Sequence, residues 1–189
     1  MDRKEEKKRC AWCNPSNVRY IEYHDREWGR LRLDDPYLFE MLILESFQAG
    51  LSWECILNKR ENFRRAYDGF DLDTVCDYDE EKIAALLSDP GIVRNRLKIR
   101  SSIRNARIFR EIVRECGSFR AYLERFTKGR ILLETHRATN DLSDAISGDL
   151  KKRGMKFVGS TIIYAYLQAV GIINSHEPGC FLYAADRSE

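Results

Sequence analysis

His176 and Cys180 stand four residues apart, with Pro178 and Gly179 between them. A turn of that kind can aim an imidazole and a thiol at one atom, but two ligands do not make a metal site. The other end of the chain offers the same residue types: Cys10 and Cys13 in "CAWC", and His24 in "YHDREWG". Four soft or borderline ligands of the Cys2His2 kind suit tetrahedral zinc and fill its coordination sphere, which makes such a zinc structural. Spacing alone leaves five candidates for four places. It also leaves open the plain reading of unpaired cysteines and surface histidines, and a catalytic metal. Cys55, Cys76 and Cys116 lie in apolar helical patterns and read as small buried hydrophobes. His136 has no partner at metal spacing and reads as exposed.

A second constellation joins aromatic rings to a carboxylate. Trp12, Tyr20, Tyr23, Trp28 and Trp53 crowd a short span, and Glu45 interrupts the apolar segment "LFEMLILESFQAG". Glu45 follows Met41 and Leu42 by one helical turn, on the apolar side. A carboxylate buried there needs a partner. Structurally that partner is an Arg or a tyrosine hydroxyl. Functionally it is the edge of a nucleobase held between aromatic faces.

A third is "LLSDPGIVRNRLKI": a short helix, a Pro90-Gly91-Ile92 turn and a long basic helix, the outline of a helix–hairpin–helix. Gly91 would let the backbone approach a phosphate, and free N–H groups at the next helix start would bind its oxygens. Beyond it Arg96, Arg100, Arg104 and Arg107 form one stripe, beside an apolar stripe of Ile99, Ile103 and Ala106. Between Arg94 and Arg114 seven arginines and one lysine face a single acid, Glu111. Lys151, Lys152, Arg153 and Lys156 make a second basic cluster. Local clusters on a chain of net charge +2 point to a polyanion more than the total does.

The elements that must position these groups are helical. Asp35 with Pro36 opens a helix that stops at Gly50, and Ser52 restarts one. Asp79 begins a short helix. A long one covers 93–116, another covers 118–126, and Asp141 with Asp144 opens one that closes at Gly154. The segment "STIIYAYLQAVGII" is apolar nearly all round and reads as the central helix. Residues 127–140 read as an irregular connection, and no run of strands is evident. The fold class is all-α. At 189 residues and 43% hydrophobic content the chain is expected to form one domain over 9–189, behind a flexible charged segment 1–8, with the helix–hairpin–helix at about 80–114. No apolar run is long enough to span a bilayer, and the N-terminus is no signal peptide, so a cytoplasmic protein is expected.

Together "RCAWC", "YIEYHDREWG", "LESFQAGLSW", "KRENFRRAY", "DPGIVRNRLKI", "LSDAISGDLKKRGMKFVGSTIIYAYLQAVGIINSH" and "GC" resemble the bacterial 3-methyladenine DNA glycosylase type I family, in the family's order from about Arg9 to Cys180. The resemblance implies the helix–hairpin–helix DNA glycosylase fold. It implies one structural zinc on Cys10, His24, His176 and Cys180 that joins the two ends of the chain. It implies a base pocket of Trp12, Tyr20, Tyr23, Glu45 and Trp53, with Glu45 as the catalytic group. Gly50 and Leu51 then fill the gap left by an extruded nucleotide, and Gly91, Ile92, Arg94 and Arg96 contact double-stranded DNA. Residues 94–114 contain no Asp, so the catalytic aspartate usual in the superfamily is missing, as it is in this family. The implied activity is monofunctional hydrolysis that leaves an abasic site, by a monomer without an organic cofactor. The alternative is a zinc-stapled lesion-binding module without turnover. Departures from the family are Ser46 and Met155, where Gly and Phe are common, and "GRLRLDD" after Trp28.

Overall fold

The computed structural model describes residues 7–183. It has nine α-helices among them: α1 (Val18–Arg26), α2 (Asp35–Gln48), α3 (Trp53–Ala66), α4 (Leu72–Cys76), α5 (Glu80–Ser88), α6 (Arg96–Cys116), α7 (Phe119–Thr127), α8 (Asp141–Lys152) and α9 (Ser160–Ala169). The all-α expectation holds, with one addition. β1 (Leu132–Leu133) pairs in parallel with β2 (Ile173–Asn174), so the 127–140 connection is pinned in its middle. The expected flexible segment lies, for residues 1–6, outside the described residues. Lys8 is tied down, because its carbonyl accepts from Phe181 N–H at 2.9 Å.

Several helix starts differ from the sequence reading. The carboxylate of Asp34, not Asp35, caps α2 by accepting from Tyr37 N–H at 3.2 Å. Asp35 instead accepts the backbone N–H groups of Phe119 at 2.9 Å and Arg120 at 3.1 Å, so adjacent acids cap two different helices. Asn140 caps α8 in a capping box with Ser143, displacing Asp141 and Asp144. Asn95 caps α6, which therefore begins at Arg96 and not at Val93. The sequence reading had no α1. Its buried residues are Tyr23 and His24, so it lacks the aliphatic stripe that betrays a core helix.

The core forms around α2, which packs on α9, α3, α6 and α7. Every residue from Tyr37 to Phe47 except Glu40 is buried. Each aliphatic or aromatic side chain so placed contributes roughly 1.5–3 kcal/mol. Glu40 turns to Arg60, whose buried guanidinium also bonds Glu27, both at 2.7 Å. That arginine is charge-compensated on two sides, which offsets the cost of burying it.

The segment after α1 lies across the end of α9. Gly29 N–H reaches Gln168 O and Arg32 N–H reaches Val170 O, both at 3.0 Å. The approach requires Gly171. Its φ is +78°, and a Cβ there would sit 2.1 Å from the carbonyl carbon of Arg30. Here the N-terminal segment is laid against the C-terminal part of the chain.

Candidate functional site

Where the two ends meet, Cys10, His24, His176 and Cys180 converge. Their ligand atoms all lie within 4.8 Å of one another, and all four residues are buried. The cluster can hold a metal ion. Cys13, the fifth candidate, turns its thiol to the carbonyl of Tyr20 at 3.8 Å and stays outside. Each imidazole presents one nitrogen to the cluster and anchors the other. His24 Nδ1 meets Asp25 Oδ1 at 2.8 Å, and His176 Nε2 meets the carbonyl of Trp28 at 3.2 Å. This second layer of contacts is what fixes tautomers at metal sites. Backbone N–H groups of Glu177 and Leu182 point at the sulfurs of Cys10 (3.3 Å) and Cys180 (3.4 Å), the polarity a thiolate needs. Burial lowers the pKa of His24 and pushes that of His176 down to about 4, so both rings are neutral donors.

Beside the cluster is a cavity of about 270 Å³. Trp12, Tyr20, Tyr23, Glu45 and Trp53, singled out from sequence, all line it, together with Trp28. α1 supplies both tyrosines, α2 supplies Glu45 and α3 starts with Trp53. The rings support one another. Trp12 meets Tyr20 at 5.2 Å and Trp28 at 4.6 Å, and Tyr23 meets Trp53 at 5.3 Å. Neither an Arg nor a tyrosine hydroxyl bonds Glu45 among the described residues. Its Oε2 is buried without a hydrogen-bond partner among the described residues, as are Trp53 Nε1 and Ser175 Oγ at the same cavity. Burial pushes the Glu45 carboxyl up to about 8. It also keeps the Tyr23 phenol neutral well beyond its usual range. A carboxyl near neutrality between electron-rich faces suits a flat cation. The arriving charge favours the carboxylate, and the ring faces attract it by about 0.5–2 kcal/mol per contact.

The sequence reading missed several lining residues. Gln48 lies one turn beyond Glu45 on the same helix, and Gln168 is the lone amide in the apolar helix α9. Both were visible as polar interruptions of apolar runs. His136 is exposed as expected, yet it and Arg137 also line the cavity. No sequence signal marked them, because the short β1–β2 pairing brings that loop to the site. Ser46 and Met155 are buried outside the cavity lining, and Ser46 Oγ bonds the Leu42 carbonyl at 2.8 Å. Of the three cysteines read as buried, Cys76 is, while Cys55 and Cys116 are half-exposed.

The residues read as DNA contacts divide. Gly50 has φ +77° and is exposed, and Leu51 beside it is 39% exposed, an apolar side chain at the surface. Arg94 and Arg96 are exposed. Gly91 and Ile92 do not offer free amides. The Gly91 N–H donates to Asp89 Oδ1 at 2.7 Å, the Ile92 N–H to the Asp89 carbonyl at 3.4 Å, and the Ile92 side chain is buried. The basic stripe is also partly neutralised. Arg100 pairs with Glu80 at 2.7 Å, and Arg107 donates to the carbonyl of Cys76 at 2.8 Å. A second hairpin, between α8 and α9, is more open. Gly159 precedes α9 with no side-chain cap, and Lys151, Lys152 and Lys156 are exposed around it.

The family model for methyladenine glycosylases matches residues 12–183. DNA-3-methyladenine glycosylase 1 of Escherichia coli (strain K12) is 41% identical over 186 residues, covering 95% of this chain and 98% of that one. A crystal structure of 3-methyladenine DNA glycosylase I superposes with a TM-score of 0.89 at 40% identity, over 93% of this chain and 100% of that one. A variant of 3-methyladenine DNA glycosylase I in complex with 3-methyladenine gives 0.86 at 30% identity, over 91% and 95%. Matched by the family model over residues 12–183 and by these relatives over nearly its whole length, this chain belongs to the methyladenine glycosylase family.

Proposed function

We propose that the chain is a DNA-3-methyladenine glycosylase that extrudes the alkylated base from double-stranded DNA into the aromatic cavity and hydrolyses its N-glycosidic bond. The observation that carries this reading is Glu45, a buried carboxyl whose Oε2 has no hydrogen-bond partner among the described residues, set among Trp12, Tyr23 and Trp53. Alkylation at N3 gives adenine a positive charge, which this carboxyl and these faces would offset. The named relatives and the bound 3-methyladenine in a similar structure support it.

The chemistry asks little acid catalysis of the protein. When the glycosidic bond breaks, its electron pair neutralises the cationic ring, and the base leaves uncharged. Water adds at the sugar carbon, loses a proton and leaves an abasic site. Glu45 counts toward rate only where its contact with the base strengthens as the bond breaks. Among the described residues the cavity lining contains no lysine, which supports hydrolysis without a Schiff base. Extruding the nucleotide costs a few kcal/mol, which Leu51, inserted from the Gly50 turn, and phosphate contacts would offset. Arg94, Arg96 and the 153–159 hairpin are the surfaces assigned to phosphate, acting in a cytoplasmic monomer.

The metal assigned to the cluster is zinc. A tetrahedral zinc with Zn–S near 2.3 Å and Zn–N near 2.0 Å has S···N edges of roughly 3.5 Å. The corresponding separations are Cys10 Sγ to His176 Nδ1 3.5 Å, Cys180 Sγ to His24 Nε2 3.5 Å and Cys180 Sγ to His176 Nδ1 3.7 Å. Four protein ligands leave no place for water, so the ion would supply a clasp and no step of the reaction.

Incubation with methylated DNA should release free 3-methyladenine above a heat-killed control. Lesion-selective binding without release would mark a binding module instead. Neither release nor selective binding would overturn both readings.

A further inference from the structure

Lys98, the third residue of α6, is 8% exposed. Its Nζ donates to the carbonyls of Phe47 at 2.8 Å and Ala49 at 2.6 Å. These belong to the last turn and the C-cap of α2, the helix that carries Glu45. Ala49 leads directly into Gly50 and Leu51, where the backbone turns with Leu51 N–H on the carbonyl of Gln48 at 2.6 Å. The same ammonium lies 5.8 Å from the ring centroid of Phe157 in the hairpin between α8 and α9. Two turns along α6, Asn105 grips that hairpin through both backbone groups of Lys156, at 2.8 and 2.9 Å.

An ammonium is costly to bury, and Lys98 forms no ion pair with a carboxylate among the described residues. Burial accordingly lowers its pKa. Its compensation is the negative end of the α2 dipole and two carbonyls that helix termination leaves free. Capping alone does not require a lysine, since water or a glycine motif satisfies most helix ends. Only a long cation rooted in α6 can tie this helix end, its turn and the hairpin to one point.

We infer that Lys98 is a positioning residue for nucleotide extrusion: it locks the 49–51 turn to α6 and the hairpin, so that Leu51 is presented at a fixed place relative to the phosphate-facing surface. Its partners are backbone groups at the edge of the cavity, and it does not line the cavity itself. The inference rests on the proposed wedge role of Leu51. Loss of Lys98 therefore impairs extrusion while base recognition stays intact.

The experiment compares the full-length wild type with Lys98→Met, Leu51→Ala and the double variant. Extrusion is read as fluorescence of 2-aminopurine beside a lesion in duplex DNA, and recognition as tryptophan quenching by free 3-methyladenine. Lys98→Met should lower base release from duplex roughly tenfold and abolish the extrusion signal, while free-base affinity changes less than about twofold. In the Leu51→Ala background it should add little, because both changes remove one coupled device. Additive losses, parallel loss of free-base binding, or unchanged extrusion would overturn the inference. If Lys98→Met does not fold, Lys98→Gln carries the same readouts. Failure of the function itself looks different: the wild type would then release no base. Failure of the wedge reading would leave Leu51→Ala with normal extrusion.

Discussion

Trp28 and His176 share two contacts. Their rings meet edge to face with centroids 4.7 Å apart, and the Trp28 carbonyl faces His176 Nε2 at 3.2 Å. One residue thus lines the aromatic cavity and contacts a member of the Cys2His2 cluster. Trp12 repeats the theme, with its ring 5.3 Å from that of His24. The cluster thus adjoins a cavity wall, and a metal held by it would fix that wall in place.

Removing the clasp should therefore disturb the wall before it disturbs the chemistry. His176→Ala should abolish stoichiometric zinc and lower the melting temperature by something on the order of 10 °C. Tryptophan emission should shift, because Trp12 and Trp28 lose their neighbours. Base release per folded molecule should survive below the new melting point. Rapid, reversible loss of activity on chelation, with the protein still folded, would refute a purely structural metal.

Glu45 gives a prediction with a definite sign in pH. Its carboxyl is raised to about 8 from 4.5, so the native state holds a proton that the unfolded chain gives up. Stability then falls as pH rises from 4.5 through about 8, and the loss above pH 8 is on the order of several kcal/mol. Glu45→Gln keeps the shape and removes the titration. It should melt with the wild type near pH 4 and above it at pH 9. Free 3-methyladenine, which leaves the reaction uncharged, should bind the variant more weakly than the wild type. Parallel melting curves for the two proteins across that range would mean that Glu45 is not buried as described.

The legibility of this molecule in its sequence was uneven for physical reasons. Helices with an aliphatic stripe, such as α2 and α6, announce themselves. α1 does not, because its buried face is Tyr23 and His24 and serves the site. Glu45 was conspicuous as a charge among Met41, Leu42 and Phe47. Its lack of a partner was not, since only packing shows that Arg60 is already spent on Glu27 and Glu40. The choice of Cys10 over Cys13 depends on which thiol faces inward, which spacing does not encode. Gly91 was expected to let the backbone approach a phosphate, yet Asp89 reaches forward and takes the amides of Gly91 and Ile92.

Two glycines should respond to alanine with opposite signs. At Gly171 a Cβ would collide with Arg30 backbone atoms at 2.1–2.3 Å, at a φ of +78°. Gly171→Ala should cost about 4 kcal/mol or more, lift the 29–32 segment from α9 and impair the cavity that this segment adjoins. Gly148 lies inside α8, and a Cβ added there would meet nothing within 4 Å. Gly148→Ala should stabilise by roughly 0.5–1 kcal/mol through helix propensity, with activity unchanged. Thermal melts of the two variants check both signs, and an equal effect at both sites would refute the close approach at Gly171.

The proposed phosphate surfaces can be separated by salt. Arg96 and Lys156 are exposed and carry no ion pair among the described residues, whereas Arg110 is bound to Asp73 at 3.2 Å. Each phosphate contact removed should make the slope of log K against log salt shallower by about 0.9. Arg96→Ala and Lys156→Ala should each do this and weaken binding to any duplex sequence alike, while Arg110→Ala should leave the slope unchanged. A shift for Lys156 alone would place the duplex on the 153–159 hairpin and not on the start of α6. No change for either residue would remove both surfaces from the DNA-binding face.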